Sequence, residues 1–371
     1  MDREQLARKI ESRADELSQQ RVVTGFDGFV DEMLSVVQTR HGEANYERVA
    51  TIEHFGSLIS AAAGHSSLRE AVVTSVEPGG CAVNMGDGLT ALGIGVETFA
   101  TLGDPIHAAF AKYGQQARLH SWGDSPGRTL AFEFDDGKLM FSHVSQLASF
   151  TAQEVGRRLG EGEYQRACQA ASLIALTDWT LYPHMTQVWR LLAVEVFAKL
   201  TQRKALLIDL VDPSSRSEAD VRDMLAVLPE LNAQLRVTLG LNQNEANVLS
   251  RLVGIATVAP ADPLASAAQA AALRLAVGVE EVVLHASRFA VAADSSGTTA
   301  LNGPYTSTPI KSTGAGDRFN AGYAAGLLLE LGPAERLAFG VAASGVFVRT
   351  GQSAELRQVT ALLRNFESWS P

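Results

Sequence analysis

Short apolar runs alternate with amphipathic stretches along most of the chain. Arg21 to Phe26, Val96 to Leu102, Ser172 to Leu176, Ala205 to Leu210, Arg236 to Leu241 and Glu281 to His285 have the pattern of strands buried on both faces. Between and after them, apolar positions recur at helical spacing over about 189–200, 219–228, 264–277, 314–331 and 333–348. Strands alternating with helices predict an α/β fold, a parallel sheet covered on both faces. Leu6, Ile10 and Leu17 predict an N-terminal helix over 3–19 that packs on the body. Residues 128–145 depart from the alternation: two runs of alternating apolar and polar residues flank Asp135-Asp136-Gly137, which predicts a hairpin. The segment between Asp31 and Gly79 carries a helix pattern near 53–63 and no other assignable role. No repeat period and no Pro-, Gly- or Ser-rich linker divides the sequence, which reads as one domain over 1–371.

Composition removes several classes of function. The chain is 46% hydrophobic and 19% charged, so it has ample material for a large core and is not a disordered protein. Its formal net charge of −10, with basic residues spread along the chain, argues against nucleic acid or an anionic membrane as partner. The first twenty residues carry mixed charge and no apolar run, so neither a signal peptide nor a membrane anchor is expected there, and a cytoplasmic location follows as the default. The two cysteines, Cys81 and Cys168, lack CxxC spacing, and the eight histidines show no i, i+4 pair. Neither a disulfide framework nor a histidine metal site is indicated.

Candidate chemistry lies where glycine-rich turns open helices. In KSTGAGDRFNAGYAAGLLLEL, residues 311–331, the turn Ser312 to Gly316 leads into a helix and puts Asp317 in its first turn. Free backbone N–H groups and the helix dipole favour an anion there, and the glycines let the main chain approach it. Asp317 beside such an anion can accept a proton from an attacking hydroxyl; the alternative is an N-capped helix with small residues for close packing. Glu77-Pro78-Gly79-Gly80-Cys81-Ala82-Val83-Asn84 is a second such turn, with Asn84 offering both donor and acceptor to hydroxyls, or simply capping. Asn242 and Glu245 stand three residues apart at a strand end, where an amide and a carboxylate suit a hydrated Mg²⁺ or, equally, a capping box. Asp27 and Asp31 flank Gly28-Phe29-Val30 after the first strand and suit the hydroxyls of a polyol, or a turn.

In this order and over about residues 20–355, these motifs resemble the ribokinase-like (PfkB) carbohydrate kinase family. Lys311, Ser312, Gly314, Ala315, Gly316, Asp317, Ala321 and Gly322 match its C-terminal signature; Gly79, Gly80, Ala82, Asn84, Gly93 and Gly103 match the N-terminal one, with Gly86 where that pattern has Ser, Thr or Ala. The resemblance implies a Rossmann-like three-layer α/β/α sandwich with a small β-sheet lid, drawn here from about 32–52 and 128–145. It implies an ATP-dependent phosphotransferase acting on a hydroxyl of a sugar or sugar-like molecule. Asp317 would be the base and 314–316 the anion hole, Asp31, Gly80 and Asn84 would hold the acceptor, with Asp27 and Gly79 beside them, and Asn242 and Glu245 would organise Mg²⁺ through water. A nucleoside kinase, with Phe26, Phe29, Phe132 and Phe134 as candidate stacking residues, and a non-catalytic ligand-binding protein of the same fold are the alternatives. A homodimer through the lid fits a sheet with an exposed edge.

Three departures from that pattern bear on the site. Phe26 stands where the family has glycine five residues before Asp31, with Gly25 one residue earlier. The nucleotide-side turn reads Leu284-His285-Ala286-Ser287-Arg288-Phe289 and lacks the family's two glycines. Lys311 replaces an Asp near the monovalent-cation position, and an ammonium standing in for K⁺ would leave activity insensitive to that ion.

Overall fold

All six apolar runs form strands of one sheet. A computed structural model describes residues 1–366. Its strands are β1 Arg21–Phe26, β2 Phe29–Arg40, β3 Tyr46–Arg48, β4 Ala71–Gly79, β5 Gly95–Ala100, β6 Arg118–Ser121, β7 Gly127–Phe134, β8 Gly137–His143, β9 Leu173–Leu176, β10 Ala205–Asp209, β11 Arg236–Asn242, β12 Glu281–His285, β13 Phe289–Asp294 and β14 Gly297–Asn302. Nine of them make the main sheet, in the order β14-β13-β12-β11-β10-β9-β1-β5-β6. From β12 to β6 every pairing is parallel, and β13 and β14 close one end as antiparallel strands.

Alternate residues of the central strands feed two separate cores. Val23 and Ile208 join Trp189, Leu228 and Leu231 on one face. Val22 and Leu207 join Phe319, Tyr323 and Phe339 on the other. This is the three-layer arrangement that continuous apolar strands require, since both faces of each strand are withdrawn from water. Helices Met185–Glu195 and Glu218–Gln234 cover the first face, and Ala315–Leu328 and Pro333–Thr350 the second.

The small second sheet is larger than the hairpin and the 32–52 stretch. It has five strands in the order β3-β2-β7-β8, with β3 paired to the far end of β2 and β4 also paired to β2, along its first eight residues. Residues 71–79, outside the boundaries drawn from sequence, therefore belong to it as β4. Helix Ile52–Ala61 lies against it, where Phe55 stacks on Phe132 and Phe134.

The N-terminal helix over 3–19 is two helices, Arg3–Ser12 and Ala14–Ser18. Arg13 leaves helical geometry between them and sends its guanidinium to the Leu329 carbonyl and to Glu16. Helix 219–228 instead spans Glu218–Gln234 and runs through Pro229, held by the buried Leu228 and Leu231 on either side of the missing N–H.

Candidate active site

The C-terminal ends of the parallel strands carry a row of carboxylates. Asp27 follows β1, Asp178 follows β9, Asp209 ends β10, and Asn242 ends β11 with Glu245 one helical turn on. Above this edge helix Ala315–Leu328 begins. Gly314 occupies its N-cap at φ 86°, a left-handed conformation that admits glycine readily, and Asp317 falls in the first turn, 8% exposed. Burial, reinforced by the charge of Asp209 and against the pull of Arg318, raises the Asp317 carboxyl to about 7. That places it near the pH at which a general base works best.

Asn84 comes to Asp317 from the helix that follows the Gly79-Gly80 turn, its Nδ2 donating to Asp317 Oδ2 at 3.0 Å. The two glycine-rich turns, more than two hundred residues apart in the chain, thus share one hydrogen bond. Gly80, at φ 95°, caps helix Cys81–Ala91, and Gly79 ends β4 directly under Asp31: a methyl group on Gly79 would lie 2.5 Å from Asp31 Oδ2.

Asp27 and Asp31 do not act as a pair. Asp27, 1% exposed, accepts from Cys81 N–H, from Ala82 N–H at 2.9 Å and from the Thr177 hydroxyl at 2.5 Å, so its oxygens are taken up in fastening helix Cys81–Ala91 to β1. Asp31 lies within β2, opposite Glu77 of β4 and Thr129 of β7. Burial raises its carboxyl, while a hydrogen bond from Thr129 and the nearby Lys311 charge pull it back. Lys311 sends its ammonium to Glu77, 2.6 Å away, and so joins the approach to the anion-hole turn to the second sheet.

Asn242 and Glu245 form a complete capping box. Glu245 N–H donates to Asn242 Oδ1 at 3.0 Å, Asn242 N–H to Glu245 Oε2 at 2.8 Å, and Asn242 Nδ2 to Glu245 Oε1 at 2.7 Å. Burial, with Asp209, Asp212 and Asp317 nearby, raises the Glu245 carboxyl to about 8. Among the described residues no group of three or more His, Cys, Asp or Glu side chains is arranged to hold a metal. A hydrated Mg²⁺ needs only one or two carboxylates, and this carboxylate-rich edge fits one.

A cleft of about 750 Å³ borders the Ser312–Gly316 turn. Ala315, Gly316, Phe319, Asn242 and His285 line it together with the apolar Pro304 and Val341 and with Tyr305. The turn after β12, which lacks glycine, still borders this cleft through His285, Ala286 and Ser287.

Sequence reading missed Asp209, Thr177, His285 and Tyr305. Asp209 had a usable signal, a lone acid closing the buried run Ala205–Asp209 at a strand's C-terminal end. Thr177 and Tyr305 had none, since both are ordinary loop residues until the fold brings them in. Phe26 and Phe29, candidates for base stacking, belong instead to the core; Phe26 packs on Trp122, Phe150 and Tyr164. Phe132 and Phe134 pack on Phe55.

The sequence matches the family of prokaryotic ketohexokinases over residues 2–366. The chain belongs to that family. It is a carbohydrate kinase, transferring a phosphoryl group to an alcohol group of a sugar. A ketohexokinase from Haloferax volcanii is 31% identical to it over 349 residues, 93% of this chain and 91% of the relative. Among solved structures, a carbohydrate kinase from Agrobacterium tumefaciens superposes with a TM-score of 0.63 at 19% identity, covering 93% of this kinase and 97% of the other chain. Arabidopsis thaliana ribokinase complexed with ribose and ATP gives 0.63 at 16% identity, over 93% and 98%. At such identities these two show that the kinase shares their fold.

Proposed function

We propose that this kinase phosphorylates a ketohexose from ATP, with Asp317 as the base that takes the proton of the attacking hydroxyl. One observation carries the reading. A carboxyl held at about 7 lies at the mouth of a helix N-terminus, bonded to Asn84 and next to the turn that borders a cleft of about 750 Å³. The substrate class follows from the kinship to a ketohexokinase, and the second sheet, carrying Asp31 and Gly79, would be the lid that excludes water.

In the reaction, a sugar hydroxyl held by Asp31, Asn84 and the Gly79-Gly80 turn gives its proton to Asp317 as its oxygen bonds to the γ-phosphorus. The bond from that phosphorus to the β,γ-bridging oxygen breaks, and ADP leaves. Backbone N–H groups at 314–316 stabilise charge on the phosphoryl oxygens as it develops. Glu245 and Asn242 would hold a hydrated Mg²⁺, which when bound supplies charge neutralisation to the nucleotide phosphates. Asp27 is a positioning residue here, since its oxygens are committed to the helix that presents Asn84.

Asp317→Asn tests the assignment. Turnover should fall by about 10²–10⁴, the range of a lost general base. Affinity for ketohexose and for ADP should stay within about tenfold. Turnover close to that of the unaltered enzyme would remove Asp317 from the role.

A further inference from the structure

Arg318 follows Asp317 directly in the chain and takes no part in the steps above. It is 9% exposed, and its guanidinium lies over the ring of Phe347, 4.5 Å from the centroid. Each of its nitrogens has a protein partner. Nη2 donates to Asp87 Oδ2 at 3.0 Å and Nε to the Ser353 hydroxyl oxygen at 3.0 Å, while that hydroxyl donates to the same Asp87 oxygen. Nη1 reaches the Gly314 carbonyl at 3.5 Å, and the same carbonyl accepts from the Arg318 main-chain N–H at 3.2 Å. One side chain thereby ties the first residue of the anion-hole turn to helix Cys81–Ala91 and to the segment that follows helix Pro333–Thr350.

Two features of this arrangement reach beyond packing. Asp87 stands three residues after Asn84, so one helix grips two consecutive residues of another: Asn84 holds Asp317, and Asp87 holds Arg318. The two helices run close there, since a methyl group on Gly88 would lie 2.7 Å from the Ala321 Cβ. The Arg318–Asp87 pair therefore fixes the register in which the Asn84 amide meets Asp317. Gly314 leaves room for the guanidinium at the other end, where a methyl group would lie 2.7 Å from Nη1. The second feature is charge. Asp209 and Asp27 press on Asp317 from the strand ends, and Asp317 acts in turn on Asp178 and Glu245; the guanidinium opposes these acids. From helix Cys81–Ala91 Asp317 receives neutral donors, the Asn84 amide and the Cys81 thiol, which burial pushes well above its usual range. A guanidinium suits such a place because it stays charged when buried and presents its donors as a rigid fork.

We propose that Arg318 is a positioning residue for phosphoryl transfer: its fork holds the Gly314 end of the anion-hole turn and the helix carrying Asn84 in one frame, and its charge offsets the acids gathered about Asp317. The inference rests on the reading of Asp317 as the base and of 314–316 as the anion hole. It adds to that reading the part that keeps the two aligned, and it touches neither sugar nor nucleotide.

Two variants separate the fork from the charge. Arg318→Met loses both and keeps a side chain to cover Phe347, whereas Arg318→Lys keeps the charge and loses the fork. The pH dependence of kcat, the KM for ketohexose, ADP affinity by calorimetry and the melting temperature would be measured for both beside the parent. In the Met variant kcat on its alkaline plateau should fall about 10- to 100-fold, the cost of a slightly misplaced site. Its KM and ADP affinity should stay within about threefold, as expected when binding is left intact. The midpoint of its acid limb should rise by about one unit, because an opposite charge has been withdrawn from beside the base. In the Lys variant the limb should stay where the parent has it while kcat remains at least about fivefold lower. A Met variant that melts near the parent and keeps kcat within about twofold overturns the proposal. So does a Met variant with lowered kcat and an unmoved limb, the mark of a packing role alone. If the Met variant does not fold, the Lys variant decides, and parent-like kcat or a displaced limb there overturns the proposal. These outcomes leave the base reading standing, which Asp317→Asn tests; a parent with no acid limb near pH 7 overturns both.

Discussion

Asp317 is kept at the edge of ionisation by its burial, reinforced by the charge of Asp209. With its carboxyl raised to about 7, Asp317 in its proposed role as base is ready only above that pH, so kcat should fall about tenfold per unit on the acid side. A stopped or coupled assay between pH 5 and 9 reads this limb directly. The shift also has a sign for stability. A carboxyl whose folded pKa lies above its unfolded value favours the fold when protonated, and this advantage is lost as pH rises through the folded value. Asp317→Asn should therefore melt furthest above the parent at pH 8, with the gap narrowing as pH falls from about 7 to about 4, in a differential scanning experiment. Gly86 has a different constraint. A methyl group there would lie 1.8 Å from the Tyr113 hydroxyl, itself bonded to Thr98 at 2.6 Å. Gly86→Ala should cost about 1–3 kcal/mol by overpacking, and combining it with Tyr113→Phe should restore part of the loss, a coupling that denaturant titration of the four proteins in the cycle measures. The Ser, Thr or Ala that the family pattern has at this place is thus closed to this chain by its own tyrosine.

At the scale of elements, the helix that follows β11 separates capping from metal binding. Glu245→Gln keeps the reciprocal capping box, because an amide at that position can still accept from the Asn242 N–H, whereas Glu245→Ala loses it. The Gln variant should melt within about 1 kcal/mol of the parent yet need more Mg²⁺ for half-maximal rate; the Ala variant should show both defects. A Mg²⁺ titration of the three proteins checks this. The elements legible in the sequence are those whose burial is uniform. β1, β10 and β12 are apolar almost throughout because both faces are covered, and the helices over 263–277 and 333–350 repeat cleanly. β2 and β4 were illegible for the opposite reason. β2 passes from core to site to solvent, so Asp31 and Glu32 interrupt its apolar residues, and β4 is exposed over most of its length with Pro78 near its end. Their pairing joins residues some forty positions apart, which no local pattern encodes. The β13–β14 hairpin had a signal in Asp294-Ser295-Ser296-Gly297, a turn-rich break between two runs. The candidate site was legible where glycine marks a turn, at 79–80 and 314–316, and illegible where ordinary residues meet only in space, as Thr177 meets Asp27.

Across the whole molecule, the first and last described helices meet. Helix Arg3–Ser12 packs on helix Leu356–Arg364 through Leu6 and Ile10, and Arg364 pairs with Glu4 and Glu11. Ile10 is fully buried, so Ile10→Ala should destabilise the protein by about 2–5 kcal/mol. Hydrogen exchange should quicken first in both terminal helices; protection lost only near residue 10 would show that they unfold separately. No helix among the described residues is long and apolar enough to cross a membrane. The two sheets, for their part, are stitched together at a narrow seam. β1 passes to β2 across Asp27-Gly28 alone, β4 passes back at Gly79-Gly80, and β7 enters at Gly127, whose N–H donates to the Gly28 carbonyl at 2.8 Å. Asp27 grips the amide ends of the returning helix from within that seam. A change in the angle between the sheets would be taken up along this line, like a door on a pin, and Asn84 stands one helical turn from it, its N–H donating to the Gly80 carbonyl. The proposed lid and the amide that touches Asp317 are therefore mechanically one part, because the helix that carries Asn84 is fastened to the seam.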